Sequence, residues 1–168
     1  MDKIGQDEAG SDRAFVIERR IHGPVPVVFD AWARPDRFRT WWVPKSSDIT
    51  LVSHDAEVRT GGRYQLVMRH PSVDEPMAFF GRYIEVTPPT LIVWTNDEGD
   101  DEGAVTRVRF EEDGDATRIV VQEIYPSSAA RDAAVESGET AAWAEQLDQL
   151  DALIAGRSTG IGAHFTAT

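Results

Sequence analysis

GETAAWAEQLDQLDALIA, residues 138–155, is the stretch whose reading decides how this chain folds. Apolar side chains recur at Ala142, Trp143, Leu147, Leu150, Leu153 and Ile154. That spacing follows the 3.6-residue period and draws them into one stripe along a helix. Glu139, Glu145, Asp148 and Asp151 take the opposite, wet face. Val135 and Gly138 continue the stripe upstream and extend the reading to one helix over Ser128 to Ala155, about 28 residues and roughly 42 Å long. A helix cannot cover its own stripe. Nearly everything before it reads as strands, so the covering surface is a curved sheet.

The rest of the chain supplies that sheet. Ala14 to Ile21 has strand character and is stopped by Gly23-Pro24-Val25-Pro26, where proline suits a first helical turn. Val27, Val28, Ala31 and Trp32 form a short helical stripe. Pro35 breaks it, and a second short helix runs to about Trp41. Strands are then expected over 49–59, 63–70, 77–86, 91–95, 104–111 and 116–125, with the Thr60-Gly61-Gly62 turn between the first two. Pro126-Ser127-Ser128 opens the long helix, with Ser127 or Ser128 as its cap. Short links between strands imply mainly antiparallel pairing. The expected fold is α+β: a curved sheet wrapped around a long C-terminal helix, with two short helices closing one end.

Composition narrows the classes. At 168 residues and 41% hydrophobic content, with five Trp and seven Phe, the chain can fill a sizeable core. A charged tail over 1–13, one domain over 14–156 and a flexible tail over 157–168 are expected. The chain has no Cys, which excludes disulfides and thiolate metal sites. No apolar run is long enough to cross a bilayer, and MDKIGQDEAGSDR carries no signal-peptide segment, so a cytoplasmic location is expected. A net charge of -12 disfavours nucleic acid and anionic membrane, which need clustered Lys and Arg.

A set of ordered pieces carries a family resemblance: Pro24 to Trp32 followed by Pro35, Trp41-Trp42-x-Pro44, the Gly61-Gly62 turn, Gly81-x-Tyr83-x-Glu85-Val86-x-Pro88-Pro89, Leu91 to Thr95, and Gly114 to Thr117. With these the chain resembles the START-like, helix-grip superfamily called SRPBCC. Within it the chain looks most like homologues of the C-terminal domain of the heat-shock-protein-90 ATPase activator. One departure is Ala142 before Trp143, where the family commonly has Gly. The resemblance implies a cavity between sheet and long helix that holds an apolar or amphipathic small molecule. It does not imply one reaction, because one fold hosts many functions. Chaperone contact, a cyclase- or hydrolase-type reaction in the same cavity, and a homodimer stay open as alternatives.

Candidate site residues follow from strand alternation. On the last strand Ile119, Val121, Glu123 and Tyr125 share a face, so Glu123 points with apolar neighbours into the hollow. There it would bind a ligand's polar end or act as acid/base. Trp41, Trp42, Tyr64, Met68, Tyr83 and Trp143 are the expected apolar walls, since small-molecule sites are mostly apolar and aromatic. His54 and Asp55 are adjacent on a strand and therefore face opposite ways, which defeats a local metal site; the four His are scattered at positions 22, 54, 70 and 164. The acid-rich loop from Asp97 to Glu102 lacks the order of a calcium loop and reads as a solvated hairpin tip. No nucleophile elbow, no HExxH and no Gly-rich phosphate loop is present, so neither cofactor nor metal is expected.

Overall fold

The computed structural model describes residues 12–97, 103–138 and 140–167, the last part, 157–167, by its backbone alone. The tail expected over 1–13 therefore lies almost wholly outside the described residues, and so does most of the acid-rich loop. Strand β1 (Ala14–Ile21) is followed by helices α1 (Val25–Ala33) and α2 (Pro35–Phe38). Then come β2 (Thr50–Ala56), β3 (Arg63–Arg69), β4 (Met77–Thr87), β5 (Leu91–Thr95), β6 (Val105–Asp113) and β7 (Ala116–Ile124). Helices α3 (Ser128–Glu136) and α4 (Ala142–Ala167) end the chain.

The strands form one 7-stranded sheet in the order β1-β7-β6-β5-β4-β3-β2. Every neighbouring pair is antiparallel. Register shifts interrupt the β2–β3 pairing between Leu51 and Ser53 and the β4–β5 pairing between Tyr83 and Glu85. Such irregularities bend a strand and deepen its twist, which helps the sheet curve around α4. The fold is thus the α+β helix-grip arrangement, with α1 and α2 against one end of the sheet.

Two expectations about the last helix need correction. It is not one rod from Ser128. Ser127 caps α3 by accepting the Ala130 N–H at 3.0 Å, but α3 stops at Glu136. Gly138 then adopts φ 87°, a left-handed conformation that ends helices and that glycine enters without a Cβ clash. The chain turns there before α4 begins. As a result the stripe does not run back through the break: Val135 is exposed, and α3 buries Ala134 instead. At the other end α4 continues to Ala167, past the boundary expected near residue 156.

The stripe itself packs as its spacing requires. Trp143, Leu147, Leu150 and Ile154 are buried, with Ala142 and Leu153 at the margins. Leu147, Leu150 and Ile154 share one core with Ile21, Val28, Val108, Phe110, Ile119 and Val121, all at 2% exposure or less. Asp148 and Asp151, on the outer side, reach Arg19 and His22 of the β1 end.

Candidate functional site

The space between sheet and α4 is not filled evenly. Toward the start of α4 it opens into a cavity of about 230 Å³. Its floor comes largely from one cross-sheet row. Tyr83 of β4 pairs with Trp94 of β5, Trp94 with Thr106 of β6, and Thr106 with Glu123 of β7. Residues opposite one another in an antiparallel sheet project to the same face, so one register places all four side chains on the cavity side. A second row adds Phe79, Leu66 and His54 from β4, β3 and β2. Trp32 and Phe38 enter from α1 and α2, Trp42 from the loop that follows, and Ala142, Trp143 and Gln146 from α4.

The expected wall residues Trp42, Tyr64, Met68, Tyr83, Glu123 and Trp143 all line this cavity. Trp41 does not. Its ring is 1% exposed and turned into the core, where its indole N–H donates to the Ala31 carbonyl at 3.0 Å. It locks α1 to the turn after α2 and so braces Trp32 and Trp42, whose rings lie 4.8 and 5.7 Å from its own. Trp32, His54 and Trp94 also line the cavity but were not among the expected walls. Trp32 reads from sequence as ordinary helix core. His54 invites only a metal question, although it is buried and Asp55 exposed as alternation requires.

The aromatic wall is continuous. Trp32 stacks near Trp143 with ring centres 6.1 Å apart, and Trp42 meets Trp143 edge-on at 5.4 Å. Phe38 stacks on Trp42 at 4.6 Å and lies 5.0 Å from the His54 ring. Such edge and offset contacts add to what ring burial alone contributes. Tyr64 reaches across β4 because Gly81 lies beneath it: a Cβ on Gly81 would fall 2.9 Å from the Tyr64 ring and 2.1 Å from the Thr95 oxygen. Over that bare backbone the Tyr64 hydroxyl donates to the Thr95 carbonyl at 2.7 Å.

Polar groups are few and placed. Trp143 donates its indole N–H to Oε2 of Glu123 at 2.8 Å, a bond that ties α4 to β7 inside the cavity wall. The Asn96 amide donates to the Ala104 carbonyl at 2.8 Å and to the Thr106 hydroxyl at 3.3 Å. Burial pushes the Tyr83 phenol far up, so it stays protonated. Burial, and then the Arg39 guanidinium, hold His54 below its ordinary value of 6.5, so the ring is neutral near pH 7.

One margin of the cavity is strapped to α4. The Gln146 amide donates to the Trp42 carbonyl at 2.7 Å, and the Gln149 amide to the carbonyls of Trp41 and Val43 at 2.8 and 2.9 Å. The Lys45 N–H donates to Gln149 at 2.7 Å, and Ser46 donates its hydroxyl and its N–H to the Glu145 carboxylate. These two Ser46 donors hold the Glu145 carboxyl below its usual range. The strap fixes Trp42 as a side wall of the cavity. Chemically, the arrangement has room for a flat or compact apolar body, with a handful of polar side chains in its lining.

Comparison with known proteins agrees with this architecture. The family model described as Activator of Hsp90 ATPase homolog 1-like protein matches residues 22–155. A crystal structure of a protein from Nitrosomonas europaea superposes with a TM-score of 0.79 at 20% identity, covering 89% of this chain and 98% of that one. A Mycobacterium smegmatis protein gives 0.73 at 24% identity, with 87% and 93% covered. A solution structure described as an AHSA1-like protein from Aeromonas hydrophila gives 0.67 at 21% identity, with 86% and 94% covered. At such identities the likeness establishes the fold. No curated protein matches the chain. Among the described residues no helix is long and apolar enough to cross a membrane.

Proposed function

The chain belongs to the family of Activator of Hsp90 ATPase homolog 1-like proteins, and we propose that it works by holding a small apolar or amphipathic molecule between its sheet and α4, in the cytoplasm. The observation that carries this reading is the cavity of about 230 Å³, walled by aromatic rings around a few fixed polar groups. Small-molecule sites have this make-up, mostly apolar with sparse, oriented hydrogen-bonding groups. Trp42, Tyr64, Met68, Tyr83 and Trp143 would supply the apolar contact, and Glu123 the polar edge.

The test is ligand-dependent melting. A compound that binds the folded state alone raises stability by RT ln(1 + [L]/Kd), about 2.7 kcal/mol at a hundredfold excess over Kd. A panel of one- and two-ring compounds and short amphiphiles should contain members that raise Tm. Ala142→Phe, which puts a ring into the cavity from the first turn of α4, should abolish the rise while the variant still melts cooperatively. A panel with no stabilising member, or equal stabilisation of Ala142→Phe, overturns the proposal.

Chaperone contact, which the family description names, is a second reading that one feature favours. Phe80 and Ile84 are 41% and 48% exposed on the outer face of β4, away from the cavity. Paired serine substitutions there would remove such a contact and leave cavity binding intact. A chaperone interaction that survives them contradicts this second reading.

A further inference from the structure

The cavity lining has a charge pattern as well as an apolar one. Eight of its residues are Trp, Tyr or Phe, among them the four indoles Trp32, Trp42, Trp94 and Trp143. Among the described residues no Lys or Arg lines it, whereas Glu123 does. The histidine of the lining, His54, brings no positive charge near pH 7, since burial and then the Arg39 guanidinium hold it below its ordinary value.

The indoles stand together. The Trp32 ring lies 6.2, 6.0 and 6.1 Å from those of Trp42, Trp94 and Trp143, and Trp42 lies 5.4 Å from Trp143. Glu123 is tied to this group, because its Oε2 accepts the Trp143 indole N–H at 2.8 Å. The face of an aromatic ring is electronegative, and a cation set over it is attracted, most strongly over indole. Sites for anions are built the other way, with Arg, Lys or bare N–H groups of a helix N-terminus aimed at the ligand. The first turn of α4 does border the cavity, but its Trp143 and Ala144 N–H groups donate to the carbonyls of Thr140 and Ala141. The whole chain carries a net charge of -12, a field that draws cations toward a low-dielectric cleft and repels anions.

Size bounds the body that bears the charge. A cavity of about 150 Å³ admits benzene, and this one, at about 230 Å³, has room for one ring with a small head group. A sphere of that volume is about 8 Å across, so a charge inside stays close to Glu123, and Coulomb attraction over that range needs no exposed oxygen. Resting on the binding role proposed above, we propose that the molecule is a compact cation, an ammonium carried on one ring, with its charge among the indoles beside Glu123.

Three probes of one shape test this on the intact protein. Phenyltrimethylammonium is the cation, tert-butylbenzene its uncharged isostere, and benzenesulfonate an anion with a tetrahedral head. Desolvation favours the uncharged compound, so ranking the ammonium first is a strict demand. Titration should place the ammonium about threefold or more above tert-butylbenzene and the sulfonate last. Glu123→Gln keeps an amide oxygen for the Trp143 N–H. It should weaken the ammonium about tenfold or more and leave tert-butylbenzene unchanged, which also reports that the variant is folded. In wild type the N-methyl proton resonances should move upfield on binding, because ring faces shield what sits over them, a readout that needs no variant. Binding of tert-butylbenzene or the sulfonate as tightly as the ammonium, an ammonium affinity that ignores Glu123→Gln, or N-methyl resonances that stay put overturns this inference and leaves the binding role standing. If none of the three binds while members of the melting panel do, this inference falls alone. If nothing binds in either experiment, both fall.

Discussion

The two ends of the space beneath α4 are built from the same helix and the same sheet, yet one is solid and the other hollow. At the solid end aliphatic side chains meet aliphatic side chains: Leu147, Leu150 and Ile154 against Ile21, Val108 and Val121. These branched shapes interlock at the density of an organic crystal. At the hollow end the helix offers Ala142 and Trp143, and the sheet answers with rings from Tyr64, Tyr83 and Trp94. Rings packed edge-on hold one another apart, while the Gln146 and Gln149 amides donate to the loop after α2 and the Glu145 carboxylate accepts from it, which stops that side from collapsing inward. The lesson is that one helix on one sheet can be packed solid at one end and left hollow at the other, according to which side chains face the gap.

The largest effect that should separate the ends is a truncation. Leu147→Ala leaves a hole where the side chain is fully buried and should cost about 2–5 kcal/mol in denaturant unfolding. Met68→Ala, at the half-buried cavity margin, should cost clearly less. Equal losses would break the comparison.

Next in size is Glu123→Leu. A purely apolar reading of its face would make leucine neutral or stabilising there. The bond to Trp143 reverses that expectation: leucine leaves a buried indole N–H without its acceptor, a loss of about 1–3 kcal/mol. A double-mutant cycle with Trp143→Phe should recover part of that loss as coupling. No coupling would mean that the carboxyl serves some other partner instead.

Gln146→Ala removes one strap bond and should cost about 0.5–1.5 kcal/mol while raising the accessibility of Trp42 to acrylamide quenching. Unchanged quenching would mean that the loop holds its position without the strap.

The smallest effect is one of pH. The folded protein keeps His54 below 6.5, so as pH falls the unfolded chain takes up that proton first. The associated stability is whole above about pH 6.5 and drains away from there down toward the folded value. Asp55 nearby opposes the shift but does not reverse it. His54→Phe should lose that acid-side slope in melting curves taken between pH 7.5 and pH 5. An unchanged slope would mean that other groups carry it.

Much of this was legible in the residues. Period-two runs located the strands, and strand alternation put Tyr64 with Met68 on one face of β3 and Glu123 with Ile119 and Val121 on one face of β7, because period two is a property of the backbone itself. What escaped depends on chain paths that periodicity does not encode. Trp41 and Trp42 are neighbours in a turn, where no period tells which ring faces the core and which the cavity. His54 looked informative only for metals; it is packed against Phe38, sixteen positions earlier in the chain and close only after α2 folds back. The break in the last helix hinged on one backbone angle at Gly138, a residue a helix tolerates at a cost of about 1 kcal/mol, so pattern alone did not stop it.

The claim that one end is hollow for use is tested most directly by nuclear Overhauser contacts from a bound ring. With the best ring-bearing binder of the melting panel, cross-peaks should run to the Met68 methyl and to the Trp42 and Trp143 indoles. None should run to the methyls of Leu150 or Ile154. Cross-peaks confined to surface methyls such as those of Val16 and Val135, or spread into the Leu150–Ile154 core, would contradict the account.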